Sequence, residues 1–354
     1  MKKLLYLICF LSLFAMIGNL SDVMAQVNNN VQLPDSYKNL VPNKWGFIDK
    51  SGNMVIKPQY DFIWQGFFQG LAGVYIDKKY KMIDKNNNIV SEFKVDTVDK
   101  FSEGLAKAKA NGKYGFINFQ GEFIVPPMYV DAGSFSGGLA SVYIDDHWGY
   151  INTKNEMVIQ PQFNGAMPFT EGLAAVSKDD KWGYIKTNGA FKIKPRFNYA
   201  QSFQEGVAVV QETGYYGYIN SSGDYEIQPT FHNAYKFSEG MALIVMDDLK
   251  GFINRNGKVI VQPQYTQALN YNDGMAAVKV DKKWGYIDKK GNFVIQPAFD
   301  AVDEFEENYA TVKLDGSWGY IDMSGQIVIP PVFNNTFFYS EDFAAVKTPI
   351  KALK

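Results

Sequence analysis

A column of aromatic residues, spaced about 34 residues apart, is the feature of this sequence best suited to binding chemistry. Its nine positions are Trp45, Tyr80, Tyr114, Trp148, Trp182, Tyr216, Lys250, Trp284 and Trp318. Indole and phenol rings stack on sugars and on extended peptides. Because the column tolerates a lysine, we expect its side chains to be only partly buried. Two interpretations stay open: the rings cover the gap between neighbouring units, or they form a ladder that binds a polymeric ligand.

The candidate ligand-binding residues come from this column and from one irregular copy. Those of the column are its five tryptophans, Trp45, Trp148, Trp182, Trp284 and Trp318. In the second copy Lys81 replaces a glycine and stands among Lys78, Lys79 and Lys85. Such a basic cluster suits an acidic partner, although drift of a relaxed repeat produces the same pattern. The first copy has one residue more than the others, between Tyr60 and Phe67. Trp64 lies in this stretch and is a further candidate as an exposed anchor.

No group of residues indicates a catalytic or metal centre. The two histidines, His147 and His232, occupy different columns of different copies, and no nucleophilic-serine or phosphate-binding glycine motif is present. Carboxylates recur in every copy and paired acids can hydrolyse glycosidic bonds, but a residue repeated in every copy is better explained by the common fold. The turn acids lack the known calcium-loop spacings. The sequence therefore predicts no catalytic residue, no cofactor and no metal.

The first 25 residues have the three parts of a secretory signal. Lys2 and Lys3 precede an apolar run that is too short to span a bilayer, and a small-residue cleavage pattern ends at Ala25. The single cysteine, Cys9, lies in that run, so cleavage leaves no disulfide or zinc–sulfur site. Cleavage also reduces 35 basic and 37 acidic residues to 33 and 36. Without a basic patch, nucleic acid is not an expected partner.

A glycine that follows the aromatic column reveals a repeat. It recurs at Gly115, Gly149, Gly183, Gly217, Gly251, Gly285 and Gly319, in steps of 34 residues. Gly46 begins the series and Lys81 fills its second place, so the chain has nine copies. Each copy carries short β-rich runs such as "GLAAV", "WGYID" and "VIQP", separated by Gly, Asn, Asp and Pro. These breaks leave no room for the two helices of a helical-hairpin repeat.

Within one copy the columns predict three strands and a short fourth around "FNYAQSF". An isoleucine stands two residues after the glycine in every copy, which indicates a strand that is covered on both faces. Asp-x-x-Gly after it suits a tight hairpin turn. A proline then indicates a strand end or a sheet edge, because it cannot donate to the ladder. A column that admits only alanine, from Ala72 to Ala344, indicates close backbone approach, so enlarging Ala174 to Leu should cost about 1–3 kcal/mol.

The two chain ends complement each other. The array begins at "KWGFID" without a preceding "GLAAV" and finishes at "SEDFAAVK" without a following "WG". Together they complete a ninth unit, as in the strand exchange that closes a propeller ring. Nine blades exceed the usual four to eight, and we therefore favour an open superhelical array over a propeller-like ring. The predicted organisation is a signal peptide (1–25), a flexible linker (26–43), the repeat domain (44–347) and a tail (348–354).

These columns resemble the bacterial WG-containing, or KWG, repeat family. The resemblance is carried by "KWGFID", "KYGFIN", "HWGYIN", "KWGYIK", "YYGYIN", "KWGYID" and "SWGYID", with "EGLA" upstream and "VI-x-P-x-F/Y" downstream, and covers roughly Pro42 to Lys347. The second copy departs from the pattern at Lys81 and at Phe93, which stands in the proline column. The resemblance implies an interaction module without known catalytic residues, and variable repeat number in the family favours an open array.

The sequence predicts an exported all-β repeat protein, in the periplasm or outside the cell, that binds a protein or a cell-envelope polysaccharide without covalent chemistry. The alternatives are a glycan-active enzyme that uses the repeated carboxylates and a passive structural spacer.

Overall fold

The computed structural model describes residues 35–38 and 40–348. Over these residues it contains one short 3-10 helix, Asp35–Tyr37, and 36 β-strands. The first eighteen strands are β1 (Trp45–Asp49), β2 (Met54–Tyr60), β3 (Phe62–Phe68), β4 (Leu71–Ile76), β5 (Lys79–Asp84), β6 (Ile89–Phe93), β7 (Thr97–Ser102), β8 (Leu105–Ala110), β9 (Lys113–Ile117), β10 (Phe123–Tyr129), β11 (Asp131–Ala132), β12 (Leu139–Ile144), β13 (His147–Asn152), β14 (Met157–Phe163), β15 (Gly165–Ala166), β16 (Leu173–Lys178), β17 (Lys181–Lys186) and β18 (Phe191–Phe197). The remaining strands are β19 (Tyr199–Ala200), β20 (Val207–Glu212), β21 (Tyr215–Asn220), β22 (Tyr225–Phe231), β23 (Asn233–Ser238), β24 (Met241–Met246), β25 (Leu249–Asn254), β26 (Val259–Tyr265), β27 (Ala268–Asn272), β28 (Met275–Val280), β29 (Lys283–Asp288), β30 (Phe293–Phe299), β31 (Ala301–Val302), β32 (Tyr309–Leu314), β33 (Ser317–Asp322), β34 (Ile327–Phe333), β35 (Asn335–Ser340) and β36 (Phe343–Lys347).

These strands form nine four-stranded sheets in the described part of the chain. In eight sheets the spatial order follows the chain, as in β11-β12-β13-β14, and we name the four strands a, b, c and d in that order. Strand b carries "GLAAV", strand c "WGYID" and strand d "VIQP". Strand a is the predicted short fourth strand, reduced to two residues in β11, β15, β19 and β31. Each of these eight sheets is one antiparallel blade that contains the three predicted strands and the short fourth.

The ninth sheet joins the two ends of the array. Its order is β2-β1-β36-β35, so strands a and b come from the C-terminal end and strands c and d from the N-terminal end. Trp45 pairs with Lys347 and Ile48 with Ala344. This strand exchange makes the fold a nine-bladed β-propeller, which is one of the two arrangements that the sequence left open. The open array that we favoured from the sequence is wrong.

The chain divides into two compact units: the residues up to Phe68 together with those from Tyr265 onward, and Gln69–Gln264. Inside the second unit, neighbouring blades bury their faces against each other. One core cluster there combines Leu139, Tyr150, Ile159 and Phe163 of one blade with Phe169, Ala174, Val176 and Ile185 of the next. The same pattern recurs in the first unit, where Ala277 and Tyr286 pack with Val312 and Ile321. Stacking of successive blades therefore builds the core, because a single blade cannot bury its own faces.

The invariant columns lie at the most enclosed positions. All nine isoleucines of strand c expose 0 % of their surface, and the nine alanines of strand b expose at most 1 %. Both expectations from the sequence are confirmed. Asn152 caps the c–d turn, where its Oδ1 accepts the N–H groups of Lys154 and Glu156 at 3.0 Å each. Asn155 closes this turn with a φ of 63°, as the turn pattern predicts.

The proline column occupies a bulge inside strand d. Trp148 pairs with Phe163 and Tyr150 with Ile159, so three residues of strand d face the single residue Gly149 of strand c. Pro161 lies in this bulge. Strand d is the edge of the sheet, which confirms the edge prediction, but the strand continues two residues beyond the proline.

Strand d of the second copy, β6, lacks this bulge and keeps one smaller register shift, opposite Met82 and Ile83. Lys81 of β5 pairs with Glu92 of β6, and Tyr80 pairs with Phe93, without the three-residue bulge. Phe93 therefore occupies the position of the aromatic residue that ends strand d. The sequence columns had placed it at the position of the proline, and that assignment is wrong. Strand d is five residues long here and seven in the other blades, and the longer connection before Thr97 restores the period. Loss of the proline bulge and replacement of the glycine by lysine are thus one structural change.

The predicted linker 26–43 includes ordered residues in its second half. Tyr37 is buried, donates its hydroxyl to the Gly52 carbonyl oxygen at 2.7 Å and packs edge-on against Phe333. The predicted signal peptide (1–25) lies outside the described residues, as does the tail beyond Thr348. Within the described part of the chain, no helix is both long and apolar enough to cross a lipid bilayer.

Candidate functional site

The repeated acids of the a–b turn bind the following copy. The carboxylate of Glu103 accepts the N–H groups of Gly137 at 2.8 Å and of Gly138 at 2.9 Å. Glu205 accepts the N–H of Gly240 at 3.0 Å. The same contact joins Glu171 to Gly206, Asp273 to Asn308 and Glu307 to Glu341. These carboxylates connect consecutive blades, which explains their recurrence without a ligand.

The tyrosines that follow the tryptophan–glycine pair form a second link between copies. Tyr150 donates its hydroxyl to the Met167 carbonyl oxygen at 2.8 Å, and Tyr184 does the same to Gln201 at 2.8 Å. The link recurs from Tyr218 to Tyr235, from Tyr286 to Asp303 and from Tyr320 to Phe337. Burial raises the pKa of each of these five hydroxyls well above its ordinary value of 10. They are structural groups, closed to solvent.

The tryptophan column does not form a uniformly exposed ladder. Trp45 and Trp284 expose only 4 % and 9 % of their surface, whereas Trp148, Trp182 and Trp318 are partly buried. The expected partial burial is therefore wrong for the first two. Trp45 is stacked on Phe337, with ring centroids 4.8 Å apart and planes at 10°. Its ligand-binding role, like that of the other tryptophans, stays a prediction.

The rings of this column rest on strands a and b of their own blade. The Trp148 ring lies 5.2 Å from that of Tyr143 on strand b. A Cβ added to Gly165, on strand a, would come within 3.1 Å of the Trp182 ring. Lysines of strand b lie over several rings, as Lys279 Nζ does 5.7 Å from the centre of Trp284. This placement favours the interpretation of the column as a cover for the blades.

The two candidates from the irregular part of the array are also enclosed. Trp64 lies in β3 and exposes 8 %, so it is not an exposed anchor. Lys81 exposes 9 %, and its Nζ lies 3.5 Å from the Glu92 carboxylate. Lys79 pairs with the same carboxylate at 2.6 Å. Glu92 thus offsets part of the positive charge on which the predicted docking spot depends.

Both histidines are exposed and lie in the second unit, His147 at the start of β13 and His232 in the bend between β22 and β23. The Nδ1 atom of His147 lies 3.1 Å from the Asp145 carbonyl oxygen, and that of His232 accepts the Asp247 N–H at 3.0 Å. Among the described residues, no group of three or more histidine, cysteine, aspartate or glutamate side chains could hold a metal ion.

A cavity of about 540 Å³ in the first unit is the strongest candidate site. Its lining residues are Leu269, Asp303, Glu304, Glu306, Trp318, Asn335, Thr336, Phe337 and Phe338. Trp318 is the one predicted site residue among them. Phe337 and Phe338 are exposed by 36 % and 41 %. Rings and carboxylates therefore share one concave surface of ligand-binding size.

Two carboxylates of the cavity are oriented by this chain. The hydroxyl of Thr311 donates to Asp303 Oδ2 at 2.6 Å, and the backbone N–H of Asn270 donates to Glu304 Oε1 at 3.0 Å. Burial raises the pKa of the Glu304 carboxyl; the Asn270 hydrogen bonds oppose this shift and the charge of Asp303 adds to it. Thr336, also part of the lining, is buried beside the Tyr320 side chain.

Sequence reasoning missed all of the lining except Trp318, although a signal was present. The cavity takes residues from the two positions that precede the aromatic column of Tyr271, Phe305 and Tyr339, in three consecutive copies: Leu269, Asp303 with Glu304, and Phe337 with Phe338. These positions change character from copy to copy between nearly invariant columns. In a repeat fold the invariant columns maintain the blades, so the variable positions beside them are where binding specificity can develop.

Comparisons with solved structures bear on the fold alone. The crystal structure of a eukaryotic initiation factor is 9 % identical and covers 81 % of this chain and 95 % of its own, with a TM-score of 0.57. The C-terminal WD40 domain of Sif2 is 8 % identical, covering 81 % and 94 %, with a TM-score of 0.42. Dihydro-heme d1 dehydrogenase NirN in complex with DHE is 14 % identical, covering 80 % and 76 %, with a TM-score of 0.46. No curated protein matches the chain.

The sequence family described as WG containing repeat matches nine consecutive segments. They are residues 45–80, 82–114, 114–146, 148–182, 182–216, 216–249, 251–284, 284–318 and 318–348. The segments follow the tryptophan–glycine period found in the sequence and together span the nine blades. The chain therefore belongs to the WG containing repeat family.

Proposed function

We propose that this chain is an exported, non-enzymatic binding protein, and that its ligand occupies the cavity around Trp318. The ligand belongs to a protein or to a cell-envelope polysaccharide. Non-covalent contacts hold it: stacking and apolar contact with the rings, and hydrogen bonds with the carboxylates.

The observation that supports this function most directly is the composition of the cavity. Trp318, Phe337 and Phe338 provide apolar surface beside the carboxylates of Asp303 and Glu304. Contiguous exposed rings with polar groups at their edge are typical of interaction sites. A passive spacer would need neither the exposed phenylalanines nor a half-buried acid.

Binding is favoured over catalysis because the acids have structural partners. The a–b turn carboxylates accept backbone N–H groups of the following blade, as Glu205 does from Gly240. In the cavity, Thr311 and Asn270 already donate to Asp303 and Glu304. Among the described residues that line the cavity, none is a histidine, a cysteine or a lysine.

The experiment that tests this function compares two tryptophans of the same column. The mature protein, Trp318→Ala and Trp182→Ala are immobilised and exposed separately to protein and polysaccharide fractions of the cell envelope. Trp182 is the matched control because it has the same place in its blade but does not line the cavity. We expect one fraction to be retained by the parent and by Trp182→Ala and lost by Trp318→Ala, with all three proteins folded. Equal retention by all three would place the binding site elsewhere.

A glycan-active enzyme is the second candidate, and one observation supports it. Asp303 and Glu304 form an acid pair that no other copy has at these two positions, and burial raises the pKa of the Glu304 carboxyl. Glycosidic hydrolysis uses two carboxyl groups, one of which acts as a general acid and has a raised pKa. Release of reducing ends from an envelope polysaccharide by the parent, abolished in Glu304→Gln, would favour the enzyme over the binding protein.

Export is supported by the N-terminal sequence, with Lys2 and Lys3 before an apolar run and a cleavage pattern ending at Ala25. N-terminal sequencing of the protein purified from its own cells should begin at Gln26. A chain that retains Met1 inside the cell would contradict this part of the proposal.

A further inference from the structure

We infer that the cavity around Trp318 binds the positively charged side chain of a lysine or arginine in a protein partner. This inference rests on the proposed function and specifies its ligand. It follows from the charge of the lining, the nature of the walls and the size of the cavity.

The charge of the lining favours a cation. Asp303, Glu304 and Glu306 contribute three carboxylates, and the other lining residues are neutral. One cation stands at the edge of the site, Lys313, whose Nζ lies 5.7 Å from the centre of the Trp318 ring. Even with Lys313 included, the site carries an excess of negative charge. A neutral or acidic ligand would have to desolvate these carboxylates without neutralising them, which is costly.

The walls suit the apolar stem of a long basic side chain. Lysine and arginine bury their methylene groups against apolar surface while the charged end contacts polar groups. Leu269, Phe337 and Phe338 offer such a surface beside the acids. Ring faces also attract cations directly. This protein already uses that contact elsewhere in the same unit, where Lys347 Nζ lies 5.9 Å from the centre of Trp45.

The polar atoms of the cavity retain capacity for a donor. An ionised carboxylate offers about four acceptor positions, and the described contacts occupy only part of them on Asp303 and Glu304. An ammonium or guanidinium group has several N–H donors and could satisfy these acceptors together.

The cavity is large enough for one side chain of a partner and too small for a folded surface. A volume of about 540 Å³ accommodates one long side chain with the backbone on either side of it. A basic segment of a partner protein would therefore insert a single residue here, and its neighbouring residues would lie along the exposed rings.

The test measures binding of an N-acetylated hexalysine amide to the full mature protein by calorimetry at moderate salt. A hexapeptide of acetyl-lysine, which keeps the stem but loses the charge, controls for the methylene contacts. Glu304→Gln removes one cavity charge but retains an acceptor for Asn270. Asp180→Asn removes one charge from an exposed turn of the other unit and so keeps the same net charge as Glu304→Gln.

We expect hexalysine to bind the parent and Asp180→Asn equally, and to bind Glu304→Gln about tenfold or more weakly. The acetyl-lysine peptide should not bind measurably. Equal affinity of hexalysine for both variants would mean general attraction to an acidic protein and would overturn the inference. Absence of hexalysine binding would overturn it as well.

The envelope-fraction experiment separates failure of this inference from failure of the proposed function. If Trp318→Ala loses an envelope polysaccharide while hexalysine does not bind, the cavity is a binding site but its ligand is not a cation. If neither hexalysine nor any envelope fraction binds, both proposals fail together.

Discussion

Gly149 lies against the backbone of Pro161 on the neighbouring strand. A Cβ added to Gly149 would stand 2.6 Å from the Ile159 carbonyl oxygen and 2.8 Å from the Pro161 nitrogen. Both neighbours are backbone atoms of the strand d bulge and cannot rotate away. The glycine of the tryptophan–glycine pair is therefore required by close packing and not by an unusual backbone angle.

Gly149→Ala should destabilise the protein by about 1–3 kcal/mol or more, because the new methyl group overpacks a backbone contact. Gly66→Ala is the control: its added Cβ would meet Ser340 at 3.5 Å, an ordinary contact distance. The free energies of unfolding in urea should separate the two variants clearly. Equal stabilities would show that strand d moves away without cost.

Glu205→Ala should weaken the link between consecutive blades. The change removes a carboxylate that accepts the Gly240 N–H at 3.0 Å. Asp180→Ala is the matched control, since both residues have positive φ, 53° and 59°, and both are exposed. The strain of an alanine at positive φ is therefore common to both variants. We expect Glu205→Ala to be less stable by about 0.5–1 kcal/mol in urea unfolding. Equal free energies of unfolding for the two variants would show that the repeated acids contribute only to solubility.

The buried tyrosines should limit stability at alkaline pH. Burial raises the pKa of Tyr60 to about 12 and that of Tyr184 higher still, above the value of about 10 expected in the unfolded chain. The folded state therefore favours the neutral hydroxyl. This contribution to stability is fully present below pH 10 and is lost as the pH rises toward the folded-state pKa. Tyrosinate absorbance should appear together with the loss of β-structure in circular dichroism. Complete ionisation of all 22 tyrosines in a folded protein would contradict the burial.

Binding of hexalysine at the cavity should weaken at acid pH. Burial raises the pKa of the Glu304 carboxyl, so this group becomes neutral at a higher pH than an exposed glutamate. Asp303, Glu306 and Lys313 are the other charged groups at the site. A bound cation stabilises the ionised form of Glu304, so binding should release protons in the pH range where this group titrates. Calorimetry in two buffers of different ionisation enthalpy measures that release. Glu304→Gln should release fewer protons, and an unchanged release would assign the titration to another group.

Much of each blade was predictable because its determinants are local. Strand c, the Asn152 turn and the short strand a follow from alternation and turn chemistry within a few residues. The isoleucine and alanine columns were correctly placed in the core, because nine copies display the same restriction nine times. Period, strand content and family were all determined by the sequence.

Other features depended on contacts between residues far apart in the chain. Pairing of Trp45 with Lys347 closes the array. Neither segment by itself reveals that the two ends pair, because the contact forms only in the folded chain. Phe93 was assigned to the wrong column because strand pairing, and not residue counting, sets the place of a residue in a blade. Trp284 was expected to be only partly buried because its column admits a lysine, but it is 9 % exposed. A lysine in one copy says little about burial in another.

The cavity was decided by the tertiary structure. Leu269, Asp303 and Phe337 follow one another at intervals of 34 residues and meet only because each blade packs on the next, as β35 does on β32 and β33. The sequence determined only which residue type stands at each of these variable positions. Stacking of the blades decided that an acid pair would lie between an aliphatic and an aromatic neighbour, because only packing brings three copies to one surface.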